Sequence, residues 1–420
     1  MEFISENSIM EVNDMGAGNR SGFKEILKWL SQDKLGQEFI KLNIGWIPLI
    51  GRWDDLRSFF GTPLESEAVD IWVSALKNND VLAAKWADRS DKPLRKKLGF
   101  TEKEFRQYLA RIRRNHIVES KMCANQWGEI VYEHVPSVAM SRYTKAFGRH
   151  DEERFDAYKE ALKKGEKSIH AGVLFPHDCV RTCMNGDEDI ANAQFEALPN
   201  YMSEDSRVMV IADTSGSMSA SVSGSVEAAH ISQGMALYCS SKLPKDNPFY
   251  KKFMSFSEEG SFKNWGKMTF SQAVGNRTIF DGAVGSTHIG RALNLILKTA
   301  KFWKLPDSSM TNMLLIVSDM QFHESEYEDC GKQSSMAEVE RALYSWIQEG
   351  YLVPQIVYWN TAGNAGQPIT AKHNNVAMVS GFSPAILKSI FAAEDLTPRA
   401  VMMKTLEKYQ INTPAGGSNA

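Results

Sequence analysis

Long apolar runs are missing from this chain: none approaches the roughly 18 residues that a membrane-spanning helix requires, so the bilayer is not expected to be its solvent. The opening "MEFISENSIMEVNDMGAGNRSG" carries acids where a secretion signal would place lysines, and it has no apolar segment ending in small residues. The expectation is a cytoplasmic protein, in the host cytoplasm if the chain is phage-encoded. Cysteine is scarce, with five residues at 123, 179, 183, 239 and 330, and the single close pair, Cys179 and Cys183, has no second pair at zinc spacing. Reduced, mostly buried thiols are expected. The nine histidines form no i, i+4 pair, and neither GxxxxGK nor GxGxxG occurs at a strand-to-helix turn. Zinc, ATP and dinucleotide chemistry therefore find no support.

What is present begins with size. At 420 residues the chain exceeds one ordinary core, and about 150 residues per domain suggests two or three. The net charge of −3 hides an uneven distribution: residues 85–149 hold fifteen Lys/Arg against seven Asp/Glu, a local +8 that leaves −11 elsewhere. Clustered cations attract phosphate backbones, although solvated helix faces produce the same composition. Within the segment lie Lys92, Arg95, Lys96, Lys97, Arg106, Arg111, Arg113, Arg114 and Lys121, the candidate RNA contacts. Trp86, Tyr108, Trp127 and Tyr143 lie nearby, at helical spacings that favour the core over base stacking.

Two regimes follow one another along the chain. Residues 1–20 and 411–420 read as loose tails. Residues 21–200 read as an all-α, HEAT-like domain, because "GFKEILKWLSQ", "ESEAVDIWVSALKNNDVLAAKWADR", "TEKEFRQYLARIRRNHIVESKMCANQW" and "DEERFDAYKEALKKGEK" space apolar residues by three and four. Thr101 with Glu104 predicts a capping box, and Gly99 and Gly165 stand where helices should end. Asp54 and Asp55 in "GRWDDL" fit a helix N-terminus better than an acid–base pair. From 201 to 410, the runs "RVMVIA", "YKKFMSFS", "NMLLIVS", "LVPQIVYW" and "VAMVSG" alternate with helical stretches, the pattern of a parallel, open α/β sheet covered on both faces.

In such a sheet, ligands sit outside the carboxyl ends of the strands. Three loops carry oxygen there: Asp213, Ser215 and Ser217 after the first strand, Thr287 in "GSTHIGRAL", and Asp319 after "NMLLIVS". Extended residues at i, i+2 and i+4 project alike, so the first three can converge, with Gly216 permitting a tight path. Two acids and three hydroxyls suit Mg²⁺, or Mn²⁺ or Ca²⁺, better than zinc. Taken alone, "DTSGS" reads equally well as a turn capping the next helix. His288, beside Thr287, reads as a surface loop residue or as a contact to a metal-bound ligand.

"DTSGSM" after an apolar strand, "GSTHIGRAL" and a terminal "VSD" together resemble the metal-ion-dependent adhesion site of von Willebrand factor A domains, over roughly residues 207–391. The resemblance implies Asp213, Ser215 and Ser217 as first ligands, Thr287 as the second-loop hydroxyl, Asp319 as an acid acting through water, and an open metal position that captures a partner's acidic side chain. "IGRWDDL", "LAAKWADR", "KPLRKKLGF", "PSVAMSRYTKAF" and "VSGFSPAILKSIF" resemble a plant and phage family with a helical region ahead of such a domain. That family is similar to the Ro autoantigen (TROVE) proteins, whose helical ring binds structured or misfolded RNA, although the helical part here is short for a closed ring. The expected function is a non-enzymatic binding protein for RNA or ribonucleoprotein, with Mg²⁺-dependent capture of a protein partner or a second copy. A structural or assembly protein, such as a phage virion component, and a metal-dependent phosphoesterase are the alternatives.

Overall fold

The computed structural model describes residues 20–114, 117–202, 207–223, 226–255, 261–280, 289–319, 334–361 and 376–380, with residues 390 and 403. The tails expected at 1–20 and 411–420 lie outside the described residues, Arg20 excepted. The chain forms two compact units, Met1–Val173 and Leu174–Ala420.

The first unit is helical: α1 (Arg20–Leu30), α2 (Lys34–Asn43), α3 (Ile47–Ile50), α4 (Glu65–Lys77), α5 (Val81–Trp86), α6 (Lys92–Leu98), α7 (Glu102–Arg113), α8 (Val118–Cys123), α9 (Ser137–His150) and α10 (Glu152–Lys163). Two stretches that read as continuous helix are broken for local reasons. Asn79 takes φ 58° and the Asp80 carboxylate caps Ala83 N at 2.8 Å, which ends α4 and starts α5. Arg114, with ψ 130°, terminates α7. Thr101 and Glu104 form the expected capping box, and Gly99 and Gly165 take φ 71° and 70°. Asp55 accepts from Arg52 N at 2.8 Å and Asp54 from Lys24 Nζ at 2.7 Å, so the acid pair anchors a short 3₁₀ turn, Trp53–Phe59.

The core of this unit forms around fully buried Trp72, whose indole N–H donates to Ala83 O at 2.9 Å. Arg57 lies over that ring at 5.3 Å and makes a two-pronged contact with buried Asp91, at 2.9 and 3.0 Å. A second cluster packs Tyr132, Phe147, Phe155 and Tyr158 edge to face, tilted or stacked, with centroids 5.0–6.5 Å apart.

The second unit opens with α11 (Pro176–Met184) and α12 (Glu188–Glu196), helices that the sequence grouped with the preceding domain. The alternating region follows: β1 (Val208–Ala212), a small hairpin β2 (Ser221–Ser223) and β3 (Val226–Glu227), α13 (Ala228–Lys242), β4 (Lys252–Ser255), β5 (Ser261–Asn264), α14 (Phe270–Gly275), α15 (Ile289–Trp303), β6 (Met313–Ser318), α16 (Ser334–Gln348), β7 (Gln355–Asn360) and β8 (Val376–Ser380). One sheet takes the order β5-β4-β1-β6-β7-β8, parallel throughout except for antiparallel β5 at its edge. Counted by its own members, that is the doubly wound order 3-2-1-4-5-6. β1 and β6 are buried at every position, as their unbroken apolar runs require of strands covered on both faces. The five strands anticipated from the apolar runs are all present; edge strand β5, "SFKN", has too few apolar residues to announce itself.

Cys179 and Cys239 are buried and Cys183 half-buried, all as free thiols, and burial pushes the Cys183 thiol up to about 11. Cys123 is exposed, and Cys330 lies outside the described residues. Among the described residues no helix is long and apolar enough to cross a membrane.

Helix α13 crosses α11 at Gly234, where an added Cβ would lie 2.7 Å from His177 N and from Pro176 C. Backbone cannot yield there as a flexible side chain can. Gly234→Ala is expected to destabilise the fold by about 1–3 kcal/mol, read as a lower urea midpoint, whereas Gly216→Ala, where a Cβ meets nothing within 4 Å, should leave the midpoint unchanged.

Candidate functional site

The carboxyl ends of β4, β1, β6 and β7 bring Ser255, Asp213, Ser318 with Asp319, and Asn360 with Thr361 to one edge of the sheet, and all of them are buried. This is also the topological switch point. The chain leaves β1 toward β4 on one side and leaves β6 toward β7 on the other, so the loops after β1 and β6 diverge and leave a crevice between them.

Asp213 is held at four points. Its N–H donates to Val317 O at 3.0 Å and its C=O accepts from Ser232 Oγ of α13 at 2.9 Å. Its Oδ1 accepts from Ser215 N at 2.9 Å, and its Oδ2 from Ser318 Oγ at 2.6 Å. Each carboxylate oxygen has a second acceptor direction beyond these bonds. Ser215 is extended, with φ −62° and ψ 162°, and the chain then turns into a 3₁₀ segment, Gly216–Ser219. That turn brings Ser215 Oγ and Ser217 Oγ to 3.0 Å. The two hydroxyls do converge, but through the turn and not through a continuous extended path. Gly216 is not required for it sterically, having open space where a Cβ would stand. Ser215 makes no side-chain capping bond to the 3₁₀ turn, so the capping alternative for this serine does not describe its position.

Asp319 follows β6 directly and is fully buried. Thr287 and His288 lie outside the described residues, so the third loop is not described. Among the described residues no group of three or more His, Cys, Asp or Glu side chains is placed to hold a metal ion. Asp213, Ser215, Ser217 and Asp319 form instead a set of carboxylate and hydroxyl oxygens, the donor chemistry that hard divalent cations take.

Sequence reasoning passed over Ser318, Ser232 and Thr361. Thr361 grips the Ser318 carbonyl through its N–H at 3.0 Å and its Oγ1 at 3.2 Å. Ser318 was in view, since it is the serine of "VSD"; Ser232 sits mid-helix and offered no signal.

The basic residues of the first unit separate into two groups. Lys92, Lys96, Arg106, Arg111 and Arg114 are exposed on α6, on α7 and at its end, Arg111 with its guanidinium 5.3 Å over the Tyr108 ring. The others are engaged or half-buried. Lys97 pairs with Asp70 at 2.6 Å, Arg113 Nε donates to Leu109 O at 3.2 Å, Lys121 Nζ donates to Glu129 O at 2.8 Å, and Arg95 is half-buried. Burial pushes the Arg113 guanidinium down from its ordinary value. The nearby aromatics are structural: Tyr108 donates to Leu76 O at 2.8 Å, Tyr143 to Glu119 at 3.2 Å, and Trp127 stacks on His150 at 4.5 Å, while half-buried Trp86 carries Arg52 over its face at 4.9 Å.

An open α/β unit with an oxygen-lined switch point is thus preceded by a helical unit with a basic surface. Residues 207–413 match a family model described as Domain of unknown function (DUF7788), and residues 76–215 one described as Domain of unknown function (DUF2828). The chain is similar to the uncharacterized protein L728 of Acanthamoeba polyphaga mimivirus, at 25% identity over 366 residues, covering 79% of this chain and 61% of that protein. It therefore spans about three-fifths of the length of this curated relative. Among solved structures it is similar to the Ro (RSR) protein of Deinococcus radiodurans, at 14% identity and a TM-score of 0.41, covering 92% of this chain and 87% of that one.

Two histidines lie close to the α11–α13 crossing. Burial pushes both His177 and His230 below the usual imidazole value; Asp178 and Glu227 oppose that shift, and Arg181 adds to it. A histidine depressed in the folded state binds fewer protons there than when unfolded. Its contribution is complete above the unfolded value, about 6.5, and is lost as pH falls toward the folded one. The urea midpoint should therefore drop between pH 7.5 and 5.5, and drop less in His177→Gln; equal losses would contradict this assignment.

Proposed function

We propose that this chain is a binding protein whose α/β unit takes a divalent cation of the Mg²⁺ class at the switch point and, through it, grips a carboxylate of a protein partner or of a second copy. The observation that carries the reading is the Asp213 loop: a buried carboxylate fixed at both oxygens, with the Ser215 and Ser217 hydroxyls 3.0 Å apart beside it and buried Asp319 on the neighbouring strand. The donors fit such an ion, being oxygen throughout and few enough to leave coordination positions for a ligand. Asp213, Ser215, Ser217 and Asp319 would hold it, with Thr287, which precedes α15 by two residues in the sequence. The ion would supply a fixed positive charge to which an acidic side chain binds. The chain's own residues would orient that charge and keep competing donors away.

A second observation favours RNA as the ligand of the helical unit. Lys92, Lys96, Arg106, Arg111 and Arg114 are exposed, and none of them forms an ion pair among the described residues. Cations not neutralised by neighbours are the ones able to release counterions from a phosphate backbone. On this reading the protein binds RNA or ribonucleoprotein and uses the cation site to hold an acidic partner. Assembly through the cation site alone, as in a virion component, is the alternative in which RNA binding is absent.

Two measurements separate these readings. Lys96→Glu, Arg106→Glu and Arg111→Glu combined should weaken binding of a labelled structured RNA at least tenfold and flatten its dependence on salt, as fluorescence anisotropy would report; unchanged affinity would remove RNA from the account. In Asp213→Ala, Mn²⁺ binding followed by electron paramagnetic resonance should be lost while RNA affinity stays the same, and retained Mn²⁺ binding would dismiss the cation site.

A further inference from the structure

Ser318 ends β6 with its side chain buried, and its hydroxyl reaches across to the neighbouring strand to donate to Asp213 Oδ2 at 2.6 Å. Register explains the contact. Ala212 pairs with Val317, so the next positions, Asp213 and Ser318, stand side by side on one face. The serine is itself fixed, because Thr361, just past β7, bonds its carbonyl with both N–H and hydroxyl.

The carboxylate torsion of an aspartate is soft, with no deep staggered wells. Here it is pinned at both ends, Oδ1 by the Ser215 N–H and Oδ2 by the Ser318 hydroxyl. Losing the Ser318 donor would leave a buried carboxylate oxygen undersatisfied and the torsion free to turn away from the Ser215 and Ser217 hydroxyls. The geometry points to Ser318 as a positioning residue for cation binding: it aims Asp213 and so sets the affinity of the switch-point site. This inference rests on the cation reading above. It adds a residue outside the ligand set and, through Thr361, ties the site to the end of β7.

The neighbouring strand supplies a matched control. Ser255 also ends its strand buried, yet its hydroxyl has no hydrogen-bond partner among the described residues, and its pairing with Ala212 places it on the sheet face opposite Asp213. A general effect of deleting a buried hydroxyl would appear equally in Ser255→Ala.

The test is a Mn²⁺ titration by electron paramagnetic resonance on the full chain and its variants, with urea midpoints recorded without metal. Ser318→Ala should raise the Mn²⁺ Kd at least about tenfold, the range seen when partners behind metal ligands are removed. Ser318→Cys, nearly isosteric but a weak donor, should do the same while retaining the fold if the alanine variant does not. Ser318→Thr, which keeps the hydroxyl on a strand, and Ser255→Ala should both stay within about twofold of the parent. Unchanged affinity in Ser318→Ala or Ser318→Cys, with binding lost in Asp213→Ala, overturns the positioning role and leaves the cation site standing. Binding that survives in Asp213→Ala as well overturns both.

Discussion

Two carboxylates withdrawn from water at one end of one sheet are the constraint on which the second unit depends. Asp213 and Asp319 follow adjacent central strands and are almost fully buried. Burying ionised groups is costly unless donors or a counter-charge satisfy them. For the Asp213 carboxylate the fold supplies two donors, the Ser318 hydroxyl at the end of β6 and the Ser215 amide. Neither of these donors is a charged side chain. The Asp213 carboxylate is therefore hydrogen-bonded at both oxygens by neutral groups that leave its negative charge uncompensated, as the proposed cation site would need and as a structural ion pair would not allow.

The parallel sheet makes that possible. Unbroken apolar strands such as "VMVIA" and "MLLIVS" can lie only between helical layers, and the 3-2-1-4-5-6 order turns the connections on either side of the β1–β6 pair in opposite directions. Polar side chains at the strand ends then have one place to converge. The helical unit solves its polar burial differently, with Arg57 and Asp91 pairing in a fork over Trp72. That charge is neutralised where it stands and is not available to a ligand. The exposed cations of α6 and α7 form no ion pair among the described residues, so the proposed binding surface rests on them and not on the half-buried arginines.

Much of this was legible in the sequence, for physical reasons that also mark where legibility stops. Apolar runs and their helical intervals identified the central strands, because runs of five and six residues such as β1 and β6 are too short for a buried helix, which periodicity alone would not have distinguished. Asp213 and Asp319 were visible because each directly follows such a strand, and Ser215 and Ser217 because they follow Asp213 at every second position. The approach of Ser215 to Ser217 was anticipated for an incomplete reason: an extended path was expected, whereas a 3₁₀ turn after Ser215 closes the hydroxyl pair. The break between α4 and α5 was hidden because Asn79 and Asp80 interrupt an apolar pattern that stays in phase across them. Ser232 and Thr361 were illegible because their roles are set by tertiary contact, and a serine inside a helix or a threonine after a strand has many uses. Lys97, Arg113 and Lys121 looked equivalent to Lys96 and Arg106 for the same reason: sequence records the charge but not the neighbour that engages it.

The central claim is that the edge formed by β1 and β6 is a cation site. An anomalous difference map from crystals grown with Mn²⁺, recorded on the manganese edge, tests it most directly. The account predicts a peak in the switch-point crevice within coordination reach of the Ser215 and Ser217 hydroxyls, on the side of Asp213 not occupied by Ser318. A map with no peak there, or with manganese bound only elsewhere on the chain, would contradict it.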